Sequence, residues 1–409
     1  MSERENIREL IKYYAENLAF TERSREIEER YKDLNDLKIV RPPVLIFEIP
    51  WGEIISDELK VENESYKGTE YSLRSQIFQH KYFGGDHCYA PYWSVGVRIN
   101  NTGIGYSVKE KQIPSTTGAY IAAHEYVDQL KSEEDVEKMK IPEISYDREA
   151  TDKAVYDTQQ LLGDIMPVRK TGVGLYFTSW DNFMRLHGIE NCYEDLVERP
   201  EFVHAVMKKY TDIHNHVIDE YERLNVLETE IYYLHCTPAL CHDMPHKDLD
   251  TEVIKASDVW CRTSAQVLAV VSPAMQSEFD IDYSKTYANR CKRTYYGCCE
   301  PLHNKIDQLK DITNLRRISI TPWANVDEAA EKIGKDFVMS YKPNPAFVSG
   351  KTFEPEQVEK EITHVLEACK RNSTPCEFVL KDISTIANRW ENLMEWNKTV
   401  NKVIDRYFG

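Results

Sequence analysis

The chain has 409 residues and a formal net charge of −17. That balance argues against a nucleic-acid partner, since phosphate binding needs a basic patch and none is visible. No apolar run approaches the roughly 20 residues that span a membrane, and the charged start Met1-Ser2-Glu3-Arg4-Glu5 lacks a secretory h-region. A cytoplasmic location is expected. The ten cysteines lack the regular spacing of a disulfide framework and are expected as thiols.

Residues 1–40 are expected to form a helical arm, because Ile7, Leu10, Ile11, Tyr14 and Leu18 recur at helical spacing between charges. Such an arm packs across the bottom of its own domain or on a partner subunit, the latter making a homo-oligomer. Residues 41–409 read as one domain, with no short-period repeat and no low-complexity linker. Strand one is predicted at 44–51, a helix at 70–82, and strand two within 87–100. A long excursion then runs through Pro114 to an acidic helix near 132–140. Further helices are predicted at 149–164 and 194–224, with strand three at 173–180 between them. Strand four is placed at 230–238, helices at 252–270 and 273–289, and strand five at 293–298. Pro301 is read as starting a helix that runs through 302–309. Strands six, seven and eight follow at 317–323, 336–343 and 377–384, with helices at 326–334, 354–371 and 387–407. Eight strands alternating with helices, and no glycine-rich phosphate loop after the first, predict a closed (β/α)8 barrel rather than a doubly wound sheet.

The stretch Tyr295-Tyr296-Gly297-Cys298-Cys299-Glu300-Pro301 puts two cysteines at the C-terminal end of a strand. In parallel barrels chemistry sits there. Strands repeatedly end in a polar residue and a proline, as in Cys236-Thr237-Pro238, Thr321-Pro322-Trp323 and Lys342-Pro343-Asn344-Pro345. Proline cannot donate to a ladder, so it ends the strand. Lys342 and Lys381 are expected near the top of the barrel, either functional or paired structurally with Glu48, Glu300 or Asp382. Zinc binds thiolate and imidazole, with one position left open in a catalytic site. Cys298 is the first candidate ligand, with Cys299 and His235 behind it. There is no CxxC pair and no HExxH.

With these segments in view, the chain resembles the uroporphyrinogen decarboxylase-like superfamily of (β/α)8 barrels. The likeness is to its corrinoid-dependent methyltransferase branch, which includes the methyltransferases of anaerobic O-demethylases. The residues carrying it are 296–302 (YGCCEPL), 318–323 (ISITPW), 340–345 (SYKPNP) and 380–385 (LKDIST). Two departures matter. The decarboxylases hold a carboxylate-rich tetrapyrrole with arginines after strand one, where this chain reads Glu48-Ile49-Pro50-Trp51-Gly52-Glu53. Thiol-methylating relatives hold zinc with His-x-Cys on strand five and a cysteine near strand eight, where this chain has Tyr296-Gly297-Cys298 and Lys381-Asp382-Ile383. Either the zinc ligands are rearranged or there is no zinc. A cobalamin-binding Asp-x-His-x-x-Gly segment is also missing, so a corrinoid would arrive on a separate protein.

The resemblance implies transfer of a methyl group from a small methylated donor, such as a methoxylated aromatic, to that protein's cobalt. Glu48, Lys342 and Asp382 are the catalytic candidates, Lys342 or Asp382 orienting the leaving oxygen. Trp51, Trp93, Trp180 and Trp323 would form an apolar wall, with Asn344 and Lys381 also lining the substrate. Two rival readings are a metal-independent decarboxylase or lyase of a small carboxylic acid, and a non-catalytic binding barrel.

Overall fold

A computed structural model describes residues 2–113 and 123–409; Pro114, in the expected excursion, lies outside the described residues. Its centre is a seven-stranded parallel sheet. The strands are β1 (Val44–Ile46), β2 (Leu175–Phe177), β3 (Trp260–Thr263), β4 (Arg293–Tyr296), β5 (Leu315–Ile320), β6 (Val338–Tyr341) and β7 (Cys376–Leu380). Their spatial order is β1-β7-β6-β5-β4-β3-β2. Among the described residues no ladder closes the sheet between β1 and β2. That gap is bordered by Asp86, which exchanges hydrogen bonds with the Val44 backbone, and by a single parallel bridge from Val173 to Leu227.

Parallel strands covered on both faces are apolar outward and carry whatever the interior requires inward. Outward, Ile318, Ile320, Met339, Tyr341, Phe378 and Leu380 pack on the helices α6 (Val326–Ile333), α7 (Pro355–Asn372) and α8 (Glu391–Phe408) in the largest core cluster. Inward, register sets Ser319 beside Ser340 and Ser340 beside Glu377. Arg317 and Glu377, 1% and 0% exposed, pair at 2.7 Å. Thr237 donates to Glu377 and accepts from Arg317, and Arg317 Nε donates to Asn35.

The chain begins with helices. α1 (Glu3–Tyr14) passes through a π turn at Ala15–Ala19 into α2 (Glu22–Asn35). Ser2 and Glu5 close a capping box at the start of α1, and Thr21 caps α2. α2 buries Ile27, Tyr31 and Leu34 against Leu45, Val338 and Val379, at the N-terminal side of the sheet. It therefore covers the bottom of its own domain. Arg23 and Arg30 both reach Asp86. α3 (Glu64–Phe78), α4 (Ser179–His187) and α5 (Pro200–Leu224) complete the helices used below. No helix among the described residues is long and apolar enough to cross a membrane.

Several expectations are corrected. Residues 230–238 form no sheet strand; they make a tight reversal with one antiparallel bridge between Leu234 and Thr237. The strand in that region is β3, inside a stretch expected to be helical. All four of its residues are buried, so it shows no alternation to separate it from a buried helix. Strand two of the sequence reading, Trp93–Gly96, pairs with Val168–Thr171 in a separate two-stranded sheet. After Pro301 the chain turns, and helix is confined to Ile306–Leu309. The excursion carries two antiparallel pairs, Ile99–Asn101 with Ile144–Tyr146 and Glu110–Ile113 with Ala123–Tyr126.

Candidate active site

β4 delivers its cysteines through Gly297, whose φ is +100°. A Cβ there would lie 2.6 Å from Leu302 Cδ1 and 3.1 Å from Ser319 Cβ, so only glycine fits both the dihedral and the space. The turn then holds the Cys298 backbone from three directions. Ser319 Oγ donates to its carbonyl at 2.7 Å, its own N–H donates to Glu300 Oε2 at 2.8 Å, and Arg262 donates to the Gly297 carbonyl at 3.3 Å. Leaving the strand also frees the cysteines from pointing to opposite faces. Their sulfurs lie 3.4 Å apart.

Three other turns converge on this pair. Glu48 follows β1, Asp382 follows β7, and His235 comes from the reversal at 230–238. All three have positive φ, +50°, +58° and +62°. A non-glycine residue held there costs on the order of 1–3 kcal/mol and persists only where its surroundings over-determine it. Lys381, buried just before Asp382, reaches into the middle. Its Nζ is 3.3 Å from Cys298 Sγ, 3.3 Å from His235 Nε2, 3.6 Å from Cys299 Sγ, 3.2 Å from Asp382 Oδ1 and 3.7 Å from Glu48 Oε2. Cys298 Sγ is 3.4 Å from His235 Nε2. Cys299 Sγ also lies 3.1 Å from Asp382 Oδ2, and the Asp382 N–H donates to Glu48 Oε2 at 3.1 Å.

This constellation sets the charges. Hydrogen bonding from Cys299 holds the Cys298 thiol well below its ordinary range; burial opposes that, and His235, Lys381 and Arg262 reinforce it. Cys299, beside the Cys298 sulfur, is correspondingly raised. The pair therefore carries one thiolate, on Cys298. Burial alone would lower Lys381, but Cys298, Cys299, Cys236 and Asp382 raise it above the ordinary lysine range. Burial lowers His235, with Arg262 and Lys381 adding to the effect, so it is neutral at pH 7. A buried carboxyl, Glu300, and a half-buried one, Asp181, neighbour the thiolate. Burial pushes Glu300 up to about 7 and Asp181 up to about 6, and the Cys298 charge adds to each shift.

The structure thus brings together Glu48, His235, Cys298, Cys299, Lys381 and Asp382. It does not bring in the rest. Lys342 lies lower in the sheet interior, donating to Ser340 Oγ at 2.6 Å with its ammonium 5.6 Å from the Tyr295 ring. Asn344 caps the short helix Pro345–Val348 and takes its backbone partner from Glu361. The tryptophans form no common wall. Trp180 is buried on α4 and donates to the Phe279 carbonyl. Trp93 packs on Tyr14 of the arm, Trp51 on Phe78 and Phe83, and Trp323 is 67% exposed. Arg262 and Asp181 were not anticipated. Arg262 was hidden by reading β3 as helix, whereas Asp181 follows a strand end and was open to the rule that found Cys298.

A zinc ion between Cys298 Sγ and His235 Nε2 would sit roughly 2.0–2.3 Å from each donor. The Lys381 ammonium already lies 3.3 Å from both, so two cations would compete for the same lone pairs. In this arrangement the residues fit an ammonium ion rather than zinc. Among the described residues, the three ligand atoms that lie mutually within 4.8 Å belong instead to Glu29, Asp33 and His242. There the His242 ring is clasped by Glu29 and Asp36 in an exposed ion pair.

No protein-family model matches the chain, and no curated protein matches its sequence. Among solved structures, the chain is similar to a methyltransferase from Methanosarcina mazei, with a TM-score of 0.50 and 10% identity. The similarity covers 94% of this chain and 99% of that one. At that identity the likeness speaks to the fold alone: a parallel α/β sheet wrapped by helices, shared over nearly the whole of both chains.

Proposed function

We propose that this protein transfers a methyl group from a small methylated donor, of the methoxylated-aromatic class, to the cobalt of a separate corrinoid protein. On this reading it belongs to the uroporphyrinogen decarboxylase-like barrels. The observation that carries it is a permanent cation, Lys381, held at the C-terminal ends of the strands with more acceptors around it than its three N–H groups can satisfy. The bond that breaks is methyl carbon to oxygen, and its electron pair stays on the oxygen. An alkoxide or phenoxide leaves poorly at neutral pH. Lys381 donates to that oxygen as charge develops, a contribution of about 2.7–4 kcal/mol for a single well-aimed donor. Asp382 and Glu48 hold the ammonium in place, and Cys298 keeps it charged. Glu300 and Asp181 titrate near neutrality and supply the proton the product finally carries. The corrinoid, brought by its own protein, supplies the nucleophile that accepts the methyl group. No step runs through a metal on this chain.

Glu48 and Asp382 also weigh against the decarboxylase alternative, because they would repel a third carboxylate beside Lys381. Mixing the chain with methoxylated aromatics and a reduced corrinoid protein is expected to produce methyl–cobalt absorbance that neither component gives alone. Carbon dioxide release from a carboxylic acid by the isolated chain would overturn the proposal in favour of a decarboxylase. Ligand binding without turnover would leave a binding barrel.

A further inference from the structure

Nine of the ten cysteines are buried, and Cys299 is the exception. Its sulfur lies 3.4 Å from that of Cys298, and methyl transfer gives it no step of its own. Two thiols on adjacent residues, with their sulfurs in contact, make a chelating pair. The bite decides what the pair holds. A two-coordinate ion such as Cu(I) draws two thiolates to opposite sides of itself and would have to force this pair apart. A centre whose single bonds meet at roughly right angles brings its two sulfurs almost into contact, the spacing found here. Thiolate sulfur selects soft centres. Trivalent arsenic is soft, three-coordinate and pyramidal, so it matches both the donors and their separation.

The surroundings suit inorganic arsenite. Arsenous acid is uncharged at neutral pH, so Glu48 and Asp382 do not repel it. Held by two sulfurs, it keeps one hydroxyl. Lys381 Nζ lies 3.3 Å from Cys298 Sγ and 3.6 Å from Cys299 Sγ, and His235 Nε2 is 3.4 Å from Cys298 Sγ. An ammonium and a ring nitrogen thus stand beside the pair to meet that hydroxyl. Zinc would have to take the His235 lone pair from Lys381, whereas arsenic on two sulfurs needs no nitrogen ligand. The pair opens on the Asp382 side. Cys299 Sγ is 3.1 Å from Asp382 Oδ2, and the Asp382 and Glu48 side chains are 47% and 36% exposed. Arsenic therefore reaches Cys299 first and closes onto Cys298 in an intramolecular step.

We propose that Cys298 and Cys299 together form a binding site for arsenite, a function distinct from methyl transfer and independent of that reading. Two As–O bonds break and two As–S bonds form, with no change of oxidation state. Cys298 enters as thiolate. The two departing hydroxyls leave as water, one proton coming from the Cys299 thiol and one from solvent. Equilibrium dialysis of the prereduced full chain against sodium arsenite at pH 7, read by elemental analysis, is expected to give about one arsenic per chain. Cys299→Ser and Cys298→Ser each leave a single sulfur. Each is expected to weaken binding by about 10²-fold or more, the gain that a second, intramolecular contact confers. An excess of a 1,2-dithiol is expected to strip the arsenic, and a monothiol at equal thiol concentration to leave it bound. Absence of bound arsenic, or wild-type affinity in either serine variant, would overturn the proposal. Should one variant fail to fold, the other decides. Because the readout is bound arsenic, failure of methyl transfer leaves the result standing.

Discussion

Two polar clusters sit inside the same sheet, and they are built differently. The lower one holds Arg317, Glu377, Ser340, Thr237 and Lys342. Arg317 and Glu377 stand on strands and pair with each other, Thr237 accepting from the one and donating to the other, and Lys342 directly follows β6 and donates to Ser340. The upper one holds Lys381 with Cys298, His235, Asp382 and Glu48. Most of its members stand on turns, three of them in the left-handed region, and its central cation faces more acceptors than it can satisfy. A cluster built on a strand-held ion pair makes a floor. A turn-held cluster with acceptors to spare, at the strand ends, is the better candidate for meeting a reacting group.

The sharpest way to break this comparison is to remove a charge from each cluster in turn. Arg317→Met strands Glu377 as an unpaired buried carboxylate, and a loss of about 3–5 kcal/mol is expected in denaturant unfolding. Lys381→Met is expected to lower methyl transfer by roughly 10²–10³-fold while shifting the melting temperature far less than Arg317→Met does. If Lys381→Met unfolds the protein and Arg317→Met spares it, the two clusters have been assigned the wrong way round. Cys298→Ala is expected to abolish turnover at a stability cost of about 1 kcal/mol, read by measuring melting and turnover on one preparation.

The charge assignment sharpens it further. Cys298 is held below its ordinary value when folded, so its contribution to stability is complete above the ordinary thiol range and is lost as pH falls toward the folded value. Lys381 is held above its ordinary value; its contribution is complete below the ordinary lysine range and is lost only on strong alkalinisation. Between those limits the ion pair persists. Iodoacetamide alkylation of Cys298 is therefore expected at a nearly constant rate from pH 6 to 8. In Lys381→Met the rate should climb with pH across that window. The same lysine tests the metal: the chain as purified is expected to hold no stoichiometric zinc and to keep its activity after chelation. Lys381→Cys, which supplies a third soft ligand, is expected to gain about one zinc per chain by elemental analysis. The smallest effect concerns a left-handed residue outside the cluster. Ser373, capping α7 at φ +52°, should give about 1 kcal/mol of added stability on Ser373→Gly with activity unchanged.

Much of the frame could be read from residues alone. The parallel strands β1, β4, β5, β6 and β7 fall where apolar runs meet prolines, and Cys298 sits at a strand end because Gly297 stops β4 there. Cys298, Cys299, His235, Lys381, Asp382 and Glu48 are all candidates on sequence. What could not be read was their pairing. Lys342 and Lys381 both lie at strand ends in sequence, and only their partners separate them, Ser340 in the floor for one and Cys298 and His235 for the other. β3 escaped because burial on both faces erases the period of two. The reversal at His235 escaped because a histidine with positive φ carries no mark in the sequence. The tryptophans misled because strand-end position says nothing about which apolar surface lies closest.

Asp86 carries a consequence for how the chain matures. Among the described residues β1 finds its ladder partner only in β7, with Val44 opposite Phe378, and at 5–20 residues per second the ribosome takes roughly half a minute to reach it. An unpaired strand edge is a template for pairing with the wrong chain. Long before β7 emerges, Asp86 can exchange hydrogen bonds with Val44 while binding Arg23 and Arg30 of the arm. The arm and Asp86 together give the nascent strand a chaperone of its own, made from the first tenth of the chain and one buried carboxylate. Translation of an Asp86→Ala chain should accordingly yield more aggregate at 37 °C than its equilibrium stability alone would explain.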